Sequence, residues 1–236
     1  MGTPPIPLIM TRPSQANTRF IGQLPGALRS QVDVIESPLI EIVPVTTDIV
    51  IDVDDAVIFT SANAIPFAPD AKGRRAFCVG EATTSAAHEA GWQAIFAGQD
   101  ADALVVFLSA YPLSAQIWHI SGRHTRGQVA ERLCNAGMSV RRITVYDQDL
   151  CDLTPEANAV LQGTDPVIVP LFSPRTAASF VQSCPKNAQP YVAALSAAVA
   201  EPLSGLPLKA LEIADYPSAA AMIRSLEKLV ADVSLG

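Results

Sequence analysis

The segment "DAVIFTSANA" (residues 55–64) opens on an apolar run, Ala56-Val57-Ile58-Phe59, that stops abruptly at Thr60, Ser61 and Asn63. Much later "VIVPLFSPRTAASF" (167–180) does the same, its apolar run stopping at Phe172-Ser173-Pro174. A short, β-rich apolar run without alternation is what a strand covered on both faces needs, as in a parallel sheet. A small hydroxyl residue directly after it suits a helix N-cap, and Pro174 suits the first helical position behind a Ser173 cap. Both stretches therefore read as strand, then helix.

The same rhythm runs along the chain. Apolar β-rich runs at Pro7–Met10, Val32–Ile35, Ala56–Phe59, Ala76–Val79, Ala94–Phe96, Gln116–Ile120, Val167–Phe172, Tyr191–Leu195 and Ala210–Ile213 alternate with Ala-rich stretches of helical spacing at 81–91, 125–137 and 217–230. Two of these stretches end in Gly91 and Gly137, the expected stop. A first helix, with Ala16, Phe20, Ile21, Leu24 and Leu28 on its apolar face, is interrupted by Pro25. The alternation predicts an α/β fold with parallel sheets. "PLIEIVPV" (38–45) and "RRITVYDQDL" (141–150) are longer and more alternating, as strands exposed on one face are. They bracket a central block, so the expected organisation is two lobes: residues 1–37 with 150–236, linker strands 38–45 and 142–149, and residues 46–141. The first lobe is discontinuous because 1–37 alone is too small to fold.

Composition narrows the function. Of the 236 residues 49% are hydrophobic and 17% charged, which excludes disorder. A net charge of −7 and pI near 4.9 oppose a nucleic-acid or anionic-membrane surface. No apolar run approaches the length of a membrane span, and "MGTPPIPLIMTRP" does not resemble a secretory signal, so a cytoplasmic location is expected. Cys78, Cys134, Cys151 and Cys184 lack CxxC spacing and a His at metal-ligand distance, so buried free thiols are the expected state and no metal is implied. Arg outnumbers Lys three to one, a composition suited to bidentate carboxylate recognition.

Nucleotide-binding, P-loop, nucleophile-elbow and zinc-protease motifs are absent. What remains sits where ligands bind in open α/β sheets, beyond the carboxyl ends of strands: Ser61 or Asn63, Thr83, Ser173 and the Ser196 region, each equally a helix cap. His88 reads as a surface residue, and His119, beside Trp118, as a satisfied and partly buried imidazole rather than a base. The loop "SGRHTRG" around His124 reads as an anion site or a solvated loop.

"MTRP" (10–13), the 38–45 strand, "FTSANA" (59–64), "VGEATTSAAHEAG" (79–91), "SGRHTRGQVAERLCNAGMSVRRITVY" (121–146), "FSPRTAASF" (172–180) and "YPSAAAMIRSL" (216–226) together resemble the uroporphyrinogen-III synthase family. The resemblance keeps the motif order over nearly the whole chain. It implies two similar α/β lobes with parallel sheets flanked by helices, joined by a two-stranded β-ladder, with the active site in the inter-lobe cleft. It also implies a cofactor-free lyase that closes hydroxymethylbilane, with loss of water and inversion of ring D, to uroporphyrinogen III in haem biosynthesis.

By the same resemblance Tyr146 is the proton donor, or else a rim tyrosine packed on the ladder. Arg12, Thr60, Ser61, Gly80, Thr83, Gly122, Arg126, Ser173 and Ser196 would hold the carboxylate-rich substrate. For Arg12 the alternative is a strand-end cap, and for Arg126 a helix-surface residue. One departure stands out: where relatives read Gly-x-Thr-Thr-Ala, this chain has Ser196, Ala198 and Val199, and a hydroxyl is missing at 199. The implied partners are the bilane and, transiently, hydroxymethylbilane synthase, with the protein itself a monomer. A two-lobe ligand-binding or regulatory relative without turnover is the alternative.

Overall fold

In the computed structural model of the chain, which describes residues 4–45, 50–111, 115–125 and 127–235, both opening runs are strands buried at every residue. They are β4 (Ala56–Phe59) and β9 (Ile168–Leu171), and they lie in different compact units: Met1–Glu41 with Asp149–Gly236, and Ile42–Gln148.

In the first unit β1 (Ile6–Met10), β2 (Val32–Glu36), β9, β10 (Tyr191–Ala194) and β11 (Ala210–Ile213) form a sheet ordered β11-β10-β9-β1-β2, parallel throughout. Successive side chains point to opposite faces, and both faces are covered. Ile9, Val169, Leu171, Val192 and Ala194 pack under α6 (Pro155–Gln162), α7 (Pro174–Ser183) and α8 (Ala197–Ala200). On the other face Leu8, Met10, Ile168 and Ala193 meet α1 (Ser14–Ile21), α2 (Gly26–Arg29) and α9 (Ala219–Leu235). Each large apolar side chain so buried contributes about 1.5–3 kcal/mol, which is why these strands read as unbroken apolar runs.

The second unit repeats the plan. β3 (Ile40–Pro44), β4, β5 (Arg75–Cys78), β6 (Gln93–Phe96), β7 (Ile117–Gly122) and β8 (Val140–Leu150) are ordered β3-β8-β7-β4-β5-β6. Val57, Phe59, Cys78 and Ile120 face α3 (Glu81–Glu89) and the short 3-10 helix Ala62–Phe67. Ile58, Phe77 and Ile117 face α4 (Ala101–Ser109) and α5 (Val129–Asn135). The pairs from β8 to β6 are parallel, but β3 runs antiparallel to β8. Val45 N–H donates to the Val145 carbonyl and Cys151 N–H to that of Leu39, so one chain rises as the other falls.

Several local expectations are corrected. The interrupted first helix is two helices, with Pro25 capping the second. The helix expected over 125–137 begins at Val129, because Gly127 (φ +80°) and Gln128 (φ +45°) take left-handed conformations that no helix admits. After β4 the chain enters a 3-10 helix containing Pro66 instead of an α-helix. Helix α4, "ADALVVFLS", is absent from the expected elements; it is started by the Asp100 carboxylate accepting from Ala103 N–H at 2.8 Å. Of the four free cysteines only Cys78 and Cys184 are buried; Cys134 is exposed and Cys151 intermediate. Burial pushes the Cys78 thiol up to about 12 and that of Cys184 to about 11, so neither is a thiolate at neutral pH.

Arg74, invisible as a structural residue in the sequence, is buried at 9% exposure and donates to four backbone carbonyls, of Ile51, Asp52, Asp70 and Ala71. Arg74→Met removes these four bonds, although the Asp52 and Ala71 carbonyls keep a backbone N–H donor. The expected loss is about 3 kcal/mol of unfolding free energy, read as a lowered urea midpoint at unchanged m-value; an unchanged midpoint would contradict it.

Candidate active site

Both sheets reverse their strand order once. In the first unit the chain goes from β1 out to β2, then returns on the far side of β1 as β9, β10 and β11; in the second it goes from β4 to β5 and β6, then returns as β7 and β8. The crevice at such a reversal, outside the carboxyl ends of the strands, is where open α/β sheets bind ligands. The ends that flank it are Arg12 and Phe172-Ser173 in the first unit, and Thr60-Ser61 and Ser121-Gly122 in the second.

At the second unit's reversal the structure brings together Ser61, Gly122 and Tyr146. A bulge makes this possible. Ser121 pairs with Thr144 but Gly122 pairs with Tyr146, so Val145 is an extra residue on β8. Alternation then fails: Val145 at 1% exposure and Tyr146 at 3% both turn into the core that holds Phe59 and Ile120. The Ser61 side chain and the Gly122 backbone are the polar groups that act on the Tyr146 hydroxyl. Burial raises the phenol above its ordinary value, while these two contacts oppose the rise, as donors to the phenolic oxygen do. Tyr146 is therefore a protonated phenol at neutral pH. The tyrosine ring lies directly over Gly122, where an added Cβ would sit 2.5 Å from two ring carbons.

Ser61 also caps the 3-10 helix, accepting from Asn63 N–H at 3.3 Å. Thr60, the next residue back, points to the opposite face and meets His119 Nε2 at 3.2 Å. His119 is 2% exposed and its Nδ1 has no partner among the described residues, so the imidazole is only half satisfied. Burial and the Arg142 charge lower its pKa to about 4. The unfolded imidazole titrates near 6.5. Between those values the unfolded chain takes up a proton that the folded chain refuses, so stability falls as pH falls through this window, by up to ~3 kcal/mol. His119→Gln should flatten that part of the pH–stability curve relative to the parent, which urea titrations at pH 7 and pH 4.5 would show.

Around this pair Arg142 donates to Ser121 Oγ at 3.0 Å and to the Gly122 and Arg123 carbonyls at 2.7 and 2.8 Å, stitching the loop after β7 to β8. In that loop Arg123 is paired with Asp147, and His124 lies 3.7 Å from the same carboxylate. Arg123 holds the Asp147 carboxyl below its usual range. Arg126 lies outside the described residues.

At the first unit's reversal the Arg12 guanidinium stacks on the Phe172 ring, 4.3 Å from its centre. Burial and Arg19 lower its pKa to about 10, which leaves it a cation at neutral pH. Ser173 caps α7 by accepting from Thr176 N–H at 3.1 Å and shares a further bond with the Thr176 hydroxyl. Gly80 and Ser196 follow the next strands of the two sheets, Val79 N–H donating to the Phe59 carbonyl and Leu195 N–H to the Leu171 carbonyl, each at 3.0 Å. Gly80 opens α3 at φ +77°, and Thr83 is buried within that helix. Ser196 precedes α8 without a side-chain cap bond. Val199 is 2% exposed, so a hydroxyl at that position would be buried in the core beside α7; Ala198 is exposed. His119, Ser121 and Arg142 join the site only through strand register, for which the sequence carries no local sign.

Among the described residues no three His, Cys, Asp or Glu side chains gather to hold a metal ion, and no helix is long and apolar enough to cross a membrane. No curated protein matches the chain. The fold is shared with the crystal structure of uroporphyrinogen-III synthetase from Helicobacter pylori 26695, at 16% identity and a TM-score of 0.65, over 95% of this chain and 99% of that one. A mutant uroporphyrinogen III synthase from the extremely thermophilic bacterium Thermus thermophilus is similar at 11% identity and a TM-score of 0.50, over 96% and 99% of the two chains. A sequence model of the family described as uroporphyrinogen-III synthase HemD matches residues 26–224. That match takes in strands of both units and every described group around Tyr146, and by it the chain belongs to the uroporphyrinogen-III synthase family.

Proposed function

We propose that the protein converts hydroxymethylbilane to uroporphyrinogen III. The pyrrole nitrogen of the first ring supplies the electron pair that breaks the bond to the terminal hydroxyl, and a donor must give that hydroxyl a proton so that it leaves as water. The observation that carries the reading is Tyr146: a phenol kept protonated by burial, beside the strand-order reversal of its sheet, lying over Gly122 with Ser61 acting on its hydroxyl. Where both partners act as donors to its oxygen, the phenolic proton is left to be given away.

The rest of the task is positioning. The substituted carbon of the last ring, and not its free position, must meet the electrophilic first ring, and holding a flexible tetrapyrrole in that pose supplies rate without a catalytic triad. In a protein of net charge −7, eight substrate carboxylates need local donors. Arg12 and the hydroxyls of Thr60 and Ser173 supply them at the two strand-order reversals. The experiment is to give the purified protein freshly made hydroxymethylbilane and resolve the uroporphyrin isomers after oxidation. Isomer III is expected; isomer I alone, the product of spontaneous closure, would refute the assignment.

A further inference from the structure

Thr60 and His119 form a polar pair on the face of the second sheet away from Tyr146. Thr60 is half-buried at the end of β4, whereas His119 is wholly buried on β7. Their contact at 3.2 Å admits two arrangements. Either Nε2 carries the ring proton and donates to Thr60 Oγ1, leaving the threonine proton free, or Nε2 is bare and takes the threonine proton, leaving only lone pairs on Oγ1.

The partnerless Nδ1 decides between them. In the first arrangement it is a bare acceptor; in the second it is a buried N–H with nothing to bond, the rarer and costlier orphan. The neighbouring side chain points the same way. Arg142 is the register partner of His119 across β7 and β8, and its guanidinium, fixed on Ser121 Oγ and the Gly122 and Arg123 carbonyls, has no acceptor to offer an Nδ1–H.

We infer that His119 is a positioning residue: its Nε2–H holds Thr60 Oγ1 as acceptor and so turns the Thr60 hydroxyl proton outward, as a donor to a ligand carboxylate. The choice of ligand rests on the proposed function, whereas the tautomer does not. His119 touches no substrate. It fixes the polarity of a hydroxyl that would otherwise act as donor or acceptor indifferently, which suits a carboxylate-rich ligand and disfavours a neutral N–H donor at that point.

Ring 15N spectra of the 15N-histidine protein, with the His119 signals assigned by their loss in His119→Gln, should show a neutral imidazole protonated at Nε2. A ring protonated at Nδ1 overturns the inference whatever the enzyme does. Binding is read with uroporphyrin III, a stable octacarboxylate, by fluorescence titration. Thr60→Val and His119→Leu should each weaken Kd about tenfold, the size of a hydrogen bond to a charged group, and the double variant no further. His119→Gln, whose amide nitrogen can replace the Nε2–H, should stay within about twofold of the parent. An unchanged Kd in Thr60→Val, no uroporphyrin binding by the parent, or a His119→Gln variant as weak as His119→Leu also overturns it. A protein that makes only isomer I but shows the Nε2–H tautomer and these Kd changes removes the reaction and keeps the inference.

Discussion

Tyr146→Phe is expected to slow formation of isomer III by about 10²–10⁴-fold, the usual worth of a positioned general acid. The phenylalanine ring keeps the packing against Phe67 and the surrounding core, so the variant should remain folded. Losing the contacts to Ser61 and Gly122 should lower stability by only ~1 kcal/mol. Spontaneous closure to isomer I needs no enzyme, so the ratio of isomers shifts towards I as the enzymatic route slows. A variant that makes isomer III at the parental rate would remove Tyr146 from the mechanism. One that loses activity together with its thermal transition would reduce it to a core residue.

Gly122→Ala should be nearly as damaging, for a reason that has nothing to do with backbone freedom. An added Cβ lies 2.5 Å from Tyr146 Cε2 and Cζ and 2.9 Å from its hydroxyl oxygen, so the ring must move. Overfilling a packed site in this way costs about 1–3 kcal/mol. The ring also leaves Ser61, which takes the proposed proton donor out of its position. Isomer III formation should therefore fall towards the level of Tyr146→Phe, and the double variant should be no worse than the tyrosine variant alone, because both remove one arrangement. Additive losses in the double variant would show that Gly122 acts by another route, and a fully active, fully stable Gly122→Ala would show that the ring does not lie over it.

Short-range chemistry accounts for much of the fold. "AVIF" and "IVPL" are strands because four consecutive apolar residues satisfy two covered faces at once, in runs too short for a helix. Ser61 and Ser173 cap the helical turns behind them because their hydroxyls accept nearby backbone N–H groups, a bond made within three residues. Gly91 and Gly137 stop their helices at φ +86° for equally local reasons. The segments that sequence alone misses or misplaces have identifiable causes too. The apolar series of α4 hides its polar face, and the left-handed Gln128 follows a glycine whose added Cβ would meet Ala101 at 2.5 Å, a neighbour distant in sequence.

Fold class and the placement of Ser61 and Ser173 at element ends were thus written in the order of residues, since hydrophobic period, capping and chain punctuation act over a few positions. The centre of the candidate site was not. A one-residue bulge turned Tyr146 into the core, strand register set His119 beside Arg142 and against Thr60, and the close approach of an aromatic ring made Gly122 irreplaceable. Each of these depends on which strands become neighbours and in what alignment. That choice is made by the packing of whole faces, and no short window of sequence contains it.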